Sequence, residues 1–101
     1  MKPPKKTHIS FALYLFCERK GRLLGRYKTL IEAYEVLSKI KLTLGKPTYD
    51  LVDYAELEEH VWADNQWVHS DTIGIYELSG TQRKLDEVKN RITKEYNELK
   101  R

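Results

Sequence analysis

The sequence predicts an α+β fold: a single small domain of order β-β-α-β-β-β-α, with a mainly antiparallel sheet packed by two helices. Three observations carry this expectation. Ile9, Phe11, Leu13, Leu15 and Cys17 recur at period two, the spacing of one face of a strand. Thr29-Leu30-Ile31-Glu32 is a capping box placed ahead of apolar residues at helical spacing. Leu85, Val88, Ile92, Tyr96 and Leu99 form a second helical stripe near the C-terminus. The 101 residues make one domain's worth of chain, enough for a modest core.

The elements follow in order. Residues 1–6 hold Lys2, Lys5, Lys6 and the Pro3-Pro4 pair, and read as a disordered basic tail. Residues 7–17 read as a central strand, because Ala12, Tyr14 and Phe16 are apolar on its second face as well. Glu18-Arg19-Lys20-Gly21 reads as a turn in which Gly21 takes positive φ, and Arg22 to Tyr27 returns as a second strand. The helix capped by Thr29 is expected to run to Leu44, where Gly45 and Pro47 stop it. Thr48 to Leu57 reads as a third strand, followed by a short acidic stretch at 56–59.

Residues 60–69 carry the most information. A two-residue turn at Asp64-Asn65 would pair Ala63 with Gln66, Trp62 with Trp67, Val61 with Val68, and His60 with His69. The two tryptophans and two histidines would then share a face, with Glu58 and Asp71 the next pair on it. Ser70-Asp71 is expected as a bulge, and Thr72 to Leu78 as continuing strand. Ser79-Gly80-Thr81 breaks the chain and caps a helix over residues 81–101.

Composition narrows the function. Residues 1–30 carry eight Lys/Arg against Glu18 alone, a balance of +7; residues 31–79 carry −7 and residues 80–101 carry +3. Such blocks suggest one face that meets anions and another that meets cations, unless they interleave in space. No apolar run reaches the roughly 20 residues of a membrane span. The apolar stretch from Phe11 to Cys17 is too short for a signal peptide and lacks a small-residue cleavage site. One cysteine excludes an internal disulfide and a Cys-based zinc finger, and favours the reducing cytoplasm, that of a host if the protein is viral.

Chemical motifs are sparse. Cys17 ends an apolar strand beside Glu18, a setting that raises a thiol's pKa, and no Gly-x-Ser-x-Gly elbow occurs. No Gly-Lys-Ser/Thr loop is present. The carboxylates Glu56, Glu58, Glu59 and Asp64 read as solvated surface rather than an acid–base pair. No cofactor is implied. His60 and His69, with Glu58 or Asp71, are the weak candidates for a metal site.

Binding has more support than catalysis. Lys5, Lys6, Arg19, Lys20, Arg22, Arg26 and Lys28 could line a positive ribbon that tracks phosphates. The run Tyr27-Lys28-Thr29-Leu30-Ile31-Glu32-Ala33, after a basic hairpin, resembles the strand-to-helix junction of the arm-type DNA-binding domains of phage integrases. The likeness is local, within residues 10–40, and that family sets three strands before its helix where two are read here. It therefore carries no site residue across. Against this, seven tyrosines and two tryptophans are the residues of a protein-binding surface. Trp62, Trp67, Glu58, Glu59 and Asp64 would form a docking tip for a basic partner, unless the tryptophans cap the core beneath the C-terminal helix.

The expected function is a small, non-catalytic accessory or inhibitory protein of the phage or mobile-element type. It would bind a macromolecular partner stoichiometrically, such as a nucleic-acid-handling enzyme. Direct DNA or RNA binding through the basic hairpin and tail is the alternative, and a histidine metal site the second. A monomer is expected, with a dimer through Leu85, Ile92 and Leu99 as the other arrangement.

Overall fold

A computed structural model describes residues 7–17, 20–44, 54–64 and 66–101, with the backbone alone at Thr43 and Leu44. The tail at 1–6 and the part of the expected third strand before residue 54 lie outside the described residues. The chain forms β1 (Thr7–Cys17), β2 (Lys20–Tyr27), α1 (Leu30–Ser38), β3 (Thr43–Leu44), β4 (Tyr54–Ala63), β5 (Gln66–Glu77), β6 (Ser79–Gly80) and α2 (Gln82–Leu99). Four long strands make an antiparallel sheet of order β2-β1-β4-β5. The two-residue strands β3 and β6 pair in parallel beside it. The fold class is α+β, as the sequence predicts.

The core lies on one face of the sheet. Leu13 and Leu15 of β1, Ala55 and Leu57 of β4 and Tyr76 of β5 meet Ala33, Tyr34 and Leu37 of α1 and Ile92 of α2. Val88, Tyr96 and Leu99 pack against the same cluster, and Leu85 is buried too. The α2 stripe is thus spent on the chain's own core. The Leu85, Ile92 and Leu99 seam expected for a dimer is not left open to a second copy.

Thr29 caps the helix as predicted: the Glu32 amide donates to Thr29 Oγ1 at 3.2 Å. α1 stops at Ser38, not Leu44. Beyond it, Ile40, Leu42 and Leu44 alternate at period two, and the segment leaves the helix to pair as β3 with β6. The expected third strand and the first arm of the tryptophan hairpin are one strand, β4. Glu56, Glu58 and Glu59 are therefore strand residues, not a loop. Gly21 does not serve the turn. It pairs with Phe16 inside the ladder, where a Cβ would stand 2.5 Å from the Phe16 ring.

A polar clip ties both helices to the sheet. Tyr34 of α1 and Tyr76 of β5 bring their hydroxyls to 2.7 Å, and both reach Glu95 Oε2 of α2, at 2.6 and 2.5 Å. Arg91 donates to Glu95 Oε1 at 2.9 Å and to the Ile75 carbonyl at 3.0 Å, and its guanidinium lies over the Tyr76 ring. Gly74 makes room for this arrangement, since a Cβ there would meet the Tyr76 hydroxyl at 2.8 Å. Burial and the Glu95 hydrogen bond push the Tyr34 hydroxyl up to about 12. Burial and the same carboxylate drive Tyr76 up as well. Burial works to raise Glu95, but hydrogen bonds from Tyr34, Tyr76 and Arg91 outweigh it and hold the carboxyl below its usual value.

These shifts set a pH window. A depressed Glu95 contributes stability above its unfolded pKa of about 4.3, lost as pH falls through the folded value. A raised Tyr34 contributes stability below pH 10, lost as pH rises towards about 12. Urea melts across this range should show wild-type stability falling on both flanks, with the acid-side fall shallower in Glu95→Gln. An identical acid slope in the two proteins would contradict the clip.

The one-sided core makes a second measurable statement. Leu57→Ala should cost about 2–5 kcal/mol in chemical denaturation, whereas Ile75→Ala on the opposite face should cost under about 1 kcal/mol. Equal costs would mean that both faces are packed alike.

Candidate functional site

The face of the sheet turned away from the helices carries the expected site residues. Strand register places His8, Ser10, Ala12, Tyr14 and Phe16 of β1 on it, opposite Trp62, His60, Glu58, Glu56 and Tyr54 of β4 in that order. β1 is central, as predicted, but no helix among the described residues covers this second face. Side chains cover it instead, and they close over Ala12 and His60 completely.

Most of that cover is aromatic. His8 stacks on Trp62 at 6.0 Å, Trp62 on Trp67 at 6.3 Å, and Trp67 on His60 at 4.4 Å. His60 then meets Tyr14 at 6.1 Å, Tyr14 meets Phe16 at 6.5 Å, and Phe16 stacks on Tyr54 at 4.7 Å. The rings run without a break from the hairpin end to the far end of the face. Backbone and hydroxyl acceptors fix the indoles: Trp62 Nε1 donates to Ser10 Oγ and Trp67 Nε1 to the His69 carbonyl, each at 3.0 Å. The tryptophans therefore do not cap the helix-side core. They lie on the opposite face, and Trp67 is 50% exposed.

The hairpin register follows the prediction for two pairs and then departs from it. Ala63 faces Gln66 and Trp62 faces Trp67 around the turn, with Asp64 at φ 52°, as a two-residue turn requires. Val68 is then an extra residue, and the pairing resumes as Val61 with His69 and His60 with Ser70. Ile73 is a second insertion, between Thr72 opposite Glu58 and Gly74 opposite Leu57. The bulge expected at Ser70-Asp71 is replaced by these two.

A one-residue slip reverses the faces. His60 sits on the ring-lined face and His69 on the other, so the expected His60–His69 metal pair is separated. No group of three metal-ligating side chains occurs among the described residues. Strand alternation along β4 splits the expected docking tip as well. Trp62, Trp67 and Glu58 share the ring-lined face, whereas Glu59 stands on the reverse side opposite Asp71.

The expected pairing misplaces His69, while His60 keeps its face beside Trp62 and Trp67. The His60 side chain is fully buried and its Nε2 donates to Glu58 Oε1 at 3.0 Å. A carboxylate only accepts, so the ring carries a proton on Nε2. Nδ1 has no hydrogen-bond partner among the described residues. His69, by contrast, is exposed and donates to exposed Asp71 at 2.9 Å. A one-in-two alternation of polar and aromatic residues through 54–62 is the signal that could have found this face.

The basic ribbon is divided as well. Lys20 pairs with Cys17 and Arg22 with Leu15, on the helix side, while Arg26 pairs with Ala12 on the ring-lined side. The division follows from Leu24, an extra residue in β2. Arg26 is already engaged: its guanidinium carbon lies 5.4 Å from the Trp62 ring centre, across the small residues Ser10 and Ala12. Lys28 follows β2 and is exposed, and Lys5, Lys6 and Arg19 lie outside the described residues. Only Arg26 brings a basic side chain to the aromatic face among the described members of the ribbon.

Charge separates sharply along the molecule. Residues 54–77, which hold β4 and β5, contain six carboxylates and no lysine or arginine. Glu56 accepts from Thr72 at 3.0 Å and Glu58 from His60, while Glu59 and Asp71 face each other. No helix among the described residues is long and apolar enough to cross a membrane. No family model, curated protein or solved structure matches the chain.

The two histidines test the register directly. His60→Ala opens a buried site between Tyr14 and Trp67 and strands Glu58, so it should cost about 2–3 kcal/mol in denaturant unfolding. His69→Ala should cost under about 0.5 kcal/mol, since both members of its ion pair are exposed. Similar costs would refute the assignment of the two rings to opposite faces.

Proposed function

We propose that this chain is a small non-catalytic accessory or inhibitory protein, of the phage or mobile-element kind, that docks stoichiometrically on a basic surface of a macromolecular partner. One observation carries the reading. The β4–β5 hairpin presents half-exposed Trp67, and its strands carry six carboxylates and no Lys or Arg. Aromatic anchors ringed by one sign of charge suit a protein surface of the opposite sign. A nucleic-acid-handling enzyme fits, because the groove that holds phosphates is basic and a row of carboxylates can stand in for them. The site of action is the reducing cytoplasm, that of the host for a viral protein, in keeping with a single cysteine.

Direct nucleic-acid binding would need the aromatic face and the cations together. Here the rings keep company with Glu56 and Glu58, and Lys20 and Arg22 stand on the other side of the sheet. Phosphates would be repelled from the surface that offers stacking.

Two paired variants test the reading, each checked first by circular dichroism for an intact fold. Trp67→Ala with Glu59→Lys should reduce capture of the partner from nuclease-treated host lysate by at least about tenfold, the effect of losing one hot spot. Lys20→Glu with Arg22→Glu should leave capture unchanged, and Arg26 is spared because it braces Trp62. The reverse pattern would overturn the proposal. So would labelled DNA or RNA binding that weakens a few hundred-fold between about 50 and 200 mM salt, which would promote the basic ribbon.

A further inference from the structure

The two edges of the sheet are opposite in charge and alike in apolar exposure. Among the described residues no strand pairs beyond β2 or β5. β2 carries Lys20, Arg22 and Arg26 and no carboxylate, whereas β5 carries Asp71 and Glu77 and no lysine or arginine. Seven large apolar side chains stand exposed among the described residues, and six lie on these edges: Leu23 and Leu24 on β2, and Trp67, Val68, Ile73 and Ile75 on β5. Apolar residues scattered over a surface need no explanation, but exposure gathered on two strands without outer neighbours does.

Charge selects what covers them. A symmetric pair of β5 edges would bring carboxylates together, and a symmetric pair of β2 edges would bring cations together. The β5 edge of one copy against the β2 edge of another joins opposite charges. Strand direction agrees. The four long strands alternate, so β2 and β5 run opposite ways. A second copy set beside the first in the same orientation therefore continues both the antiparallel order and the two faces.

The exposed stretches narrow the contact. β2 is exposed without a break over residues 20–24, and β5 over residues 66–73. Beyond Ile73, Arg91 already takes the Ile75 carbonyl. The extra residues Leu24, Val68 and Ile73 leave 20–23 and 69–72 as regular pieces of these stretches. Within them Lys20, Arg22, His69 and Asp71 stand on the helix side, and Gly21, Leu23, Ser70 and Thr72 on the ring-lined side. Facing residues in a continuous sheet share a side, so only every second register is open. The two such registers that overlap most place Asp71 opposite Lys20 or opposite Arg22. Asp71 is exposed, and beyond the bond it accepts from His69 a carboxylate has room for further donors. In the same two registers Leu23 comes against Val68 or Ser70, which with Trp67 and His69 line an open groove of about 470 Å³.

We propose that this chain associates head to tail with copies of itself, the β5 edge of one copy pairing at residues 69–72 with the β2 edge of the next at residues 20–23. The contact joins two different surfaces, so it extends into an open chain or a ring rather than stopping at a symmetric dimer. The bulges hold it to a few backbone pairs, which keeps it weak, and at the low concentrations of partner capture the hairpin stands free. The inference goes beyond the proposed docking and does not rest on it.

The test is sedimentation equilibrium of the purified full chain alone, from about 10 to about 500 µM and in about 50 and about 500 mM salt. The average mass should climb with concentration past that of a dimer, and high salt should lower it. Lys20→Glu with Arg22→Glu, and separately Asp71→Lys, should each weaken association at least about tenfold while leaving the circular dichroism spectrum unchanged. An equimolar mixture of the two variants should associate again, because one keeps the acidic edge and the other keeps the basic edge. In the wild type, amide shifts that move with concentration should cluster at residues 20–24 and 66–73. A mass fixed at the monomer throughout, a dimer that neither variant weakens, folded variants whose mixture stays monomeric, or shifts confined to α2 would overturn the proposal.

Discussion

Two helices cover only one face of a four-stranded sheet, and the rest of this molecule follows from that constraint. α1 and α2 close over Leu13, Leu15, Leu57 and Tyr76 and leave the reverse side without a layer. A sheet face open to water ordinarily turns polar, which keeps strands from pairing wrongly. This one turns aromatic. Its rings stack and tilt against one another and bury His60 and Ala12 beneath them, so the face supplies its own cover. The cost is a surface that is neither core nor ordinary solvent-facing sheet. With an extent of 58 Å along its longest axis, the molecule is long for its size.

The clip between Tyr34, Tyr76 and Glu95 explains how so small a core holds both helices. Neither helix has a wide apolar stripe, and α2 in particular is narrow and charged elsewhere. Two phenols aimed at one carboxylate oxygen, with Arg91 closing the other, join α1, β5 and α2 at a single point. The phenols are buried but Glu95 and Arg91 keep part of their side chains exposed, so each hydrogen bond is charge-assisted without the full desolvation cost of a deeply buried ion pair. Gly74 is part of the device, since it frees the space into which Tyr76 leans.

The sequence makes much of this legible. Period-two apolar residues mark β1, the Thr29 capping box marks α1, and the stripe from Leu85 to Leu99 marks α2. Asp64-Asn65 marks the turn and its first two pairs. Three features escape it, and each for a physical reason. Helix α1 ends early because Ile40, Leu42 and Leu44 satisfy both helical and strand spacing over so short a run, and pairing with β6 decides between them. The acidic 56–59 stretch reads as loop because its glutamates are poor strand formers, yet burial of Ala55 and Leu57 overrides that preference. The bulges at Leu24, Val68 and Ile73 leave no mark at all, since apolar residues with no turn chemistry occupy them. Each slip reverses the faces beyond it. That is why His60 and His69 part company and why Arg22 and Arg26 do too.

The same slips decide what the surface can bind. Without the insertion at Leu24, β2 would present its basic residues on a common face, as a ribbon facing phosphates does. Without the insertion at Val68, His69 and Asp71 would join Trp67 and His60 on that face. The bulges instead gather rings, Glu56 and Glu58 on one side, with Arg26 as the lone arginine brought to them from β2. A net charge of +3 for the whole chain says nothing about this, because the hairpin strands contribute only carboxylates and the cations lie elsewhere. What a partner meets is the local field, strongest where water is displaced around Trp67. At that point the chain offers half-exposed Trp67 on a pair of strands whose only charged side chains, histidines aside, are carboxylates.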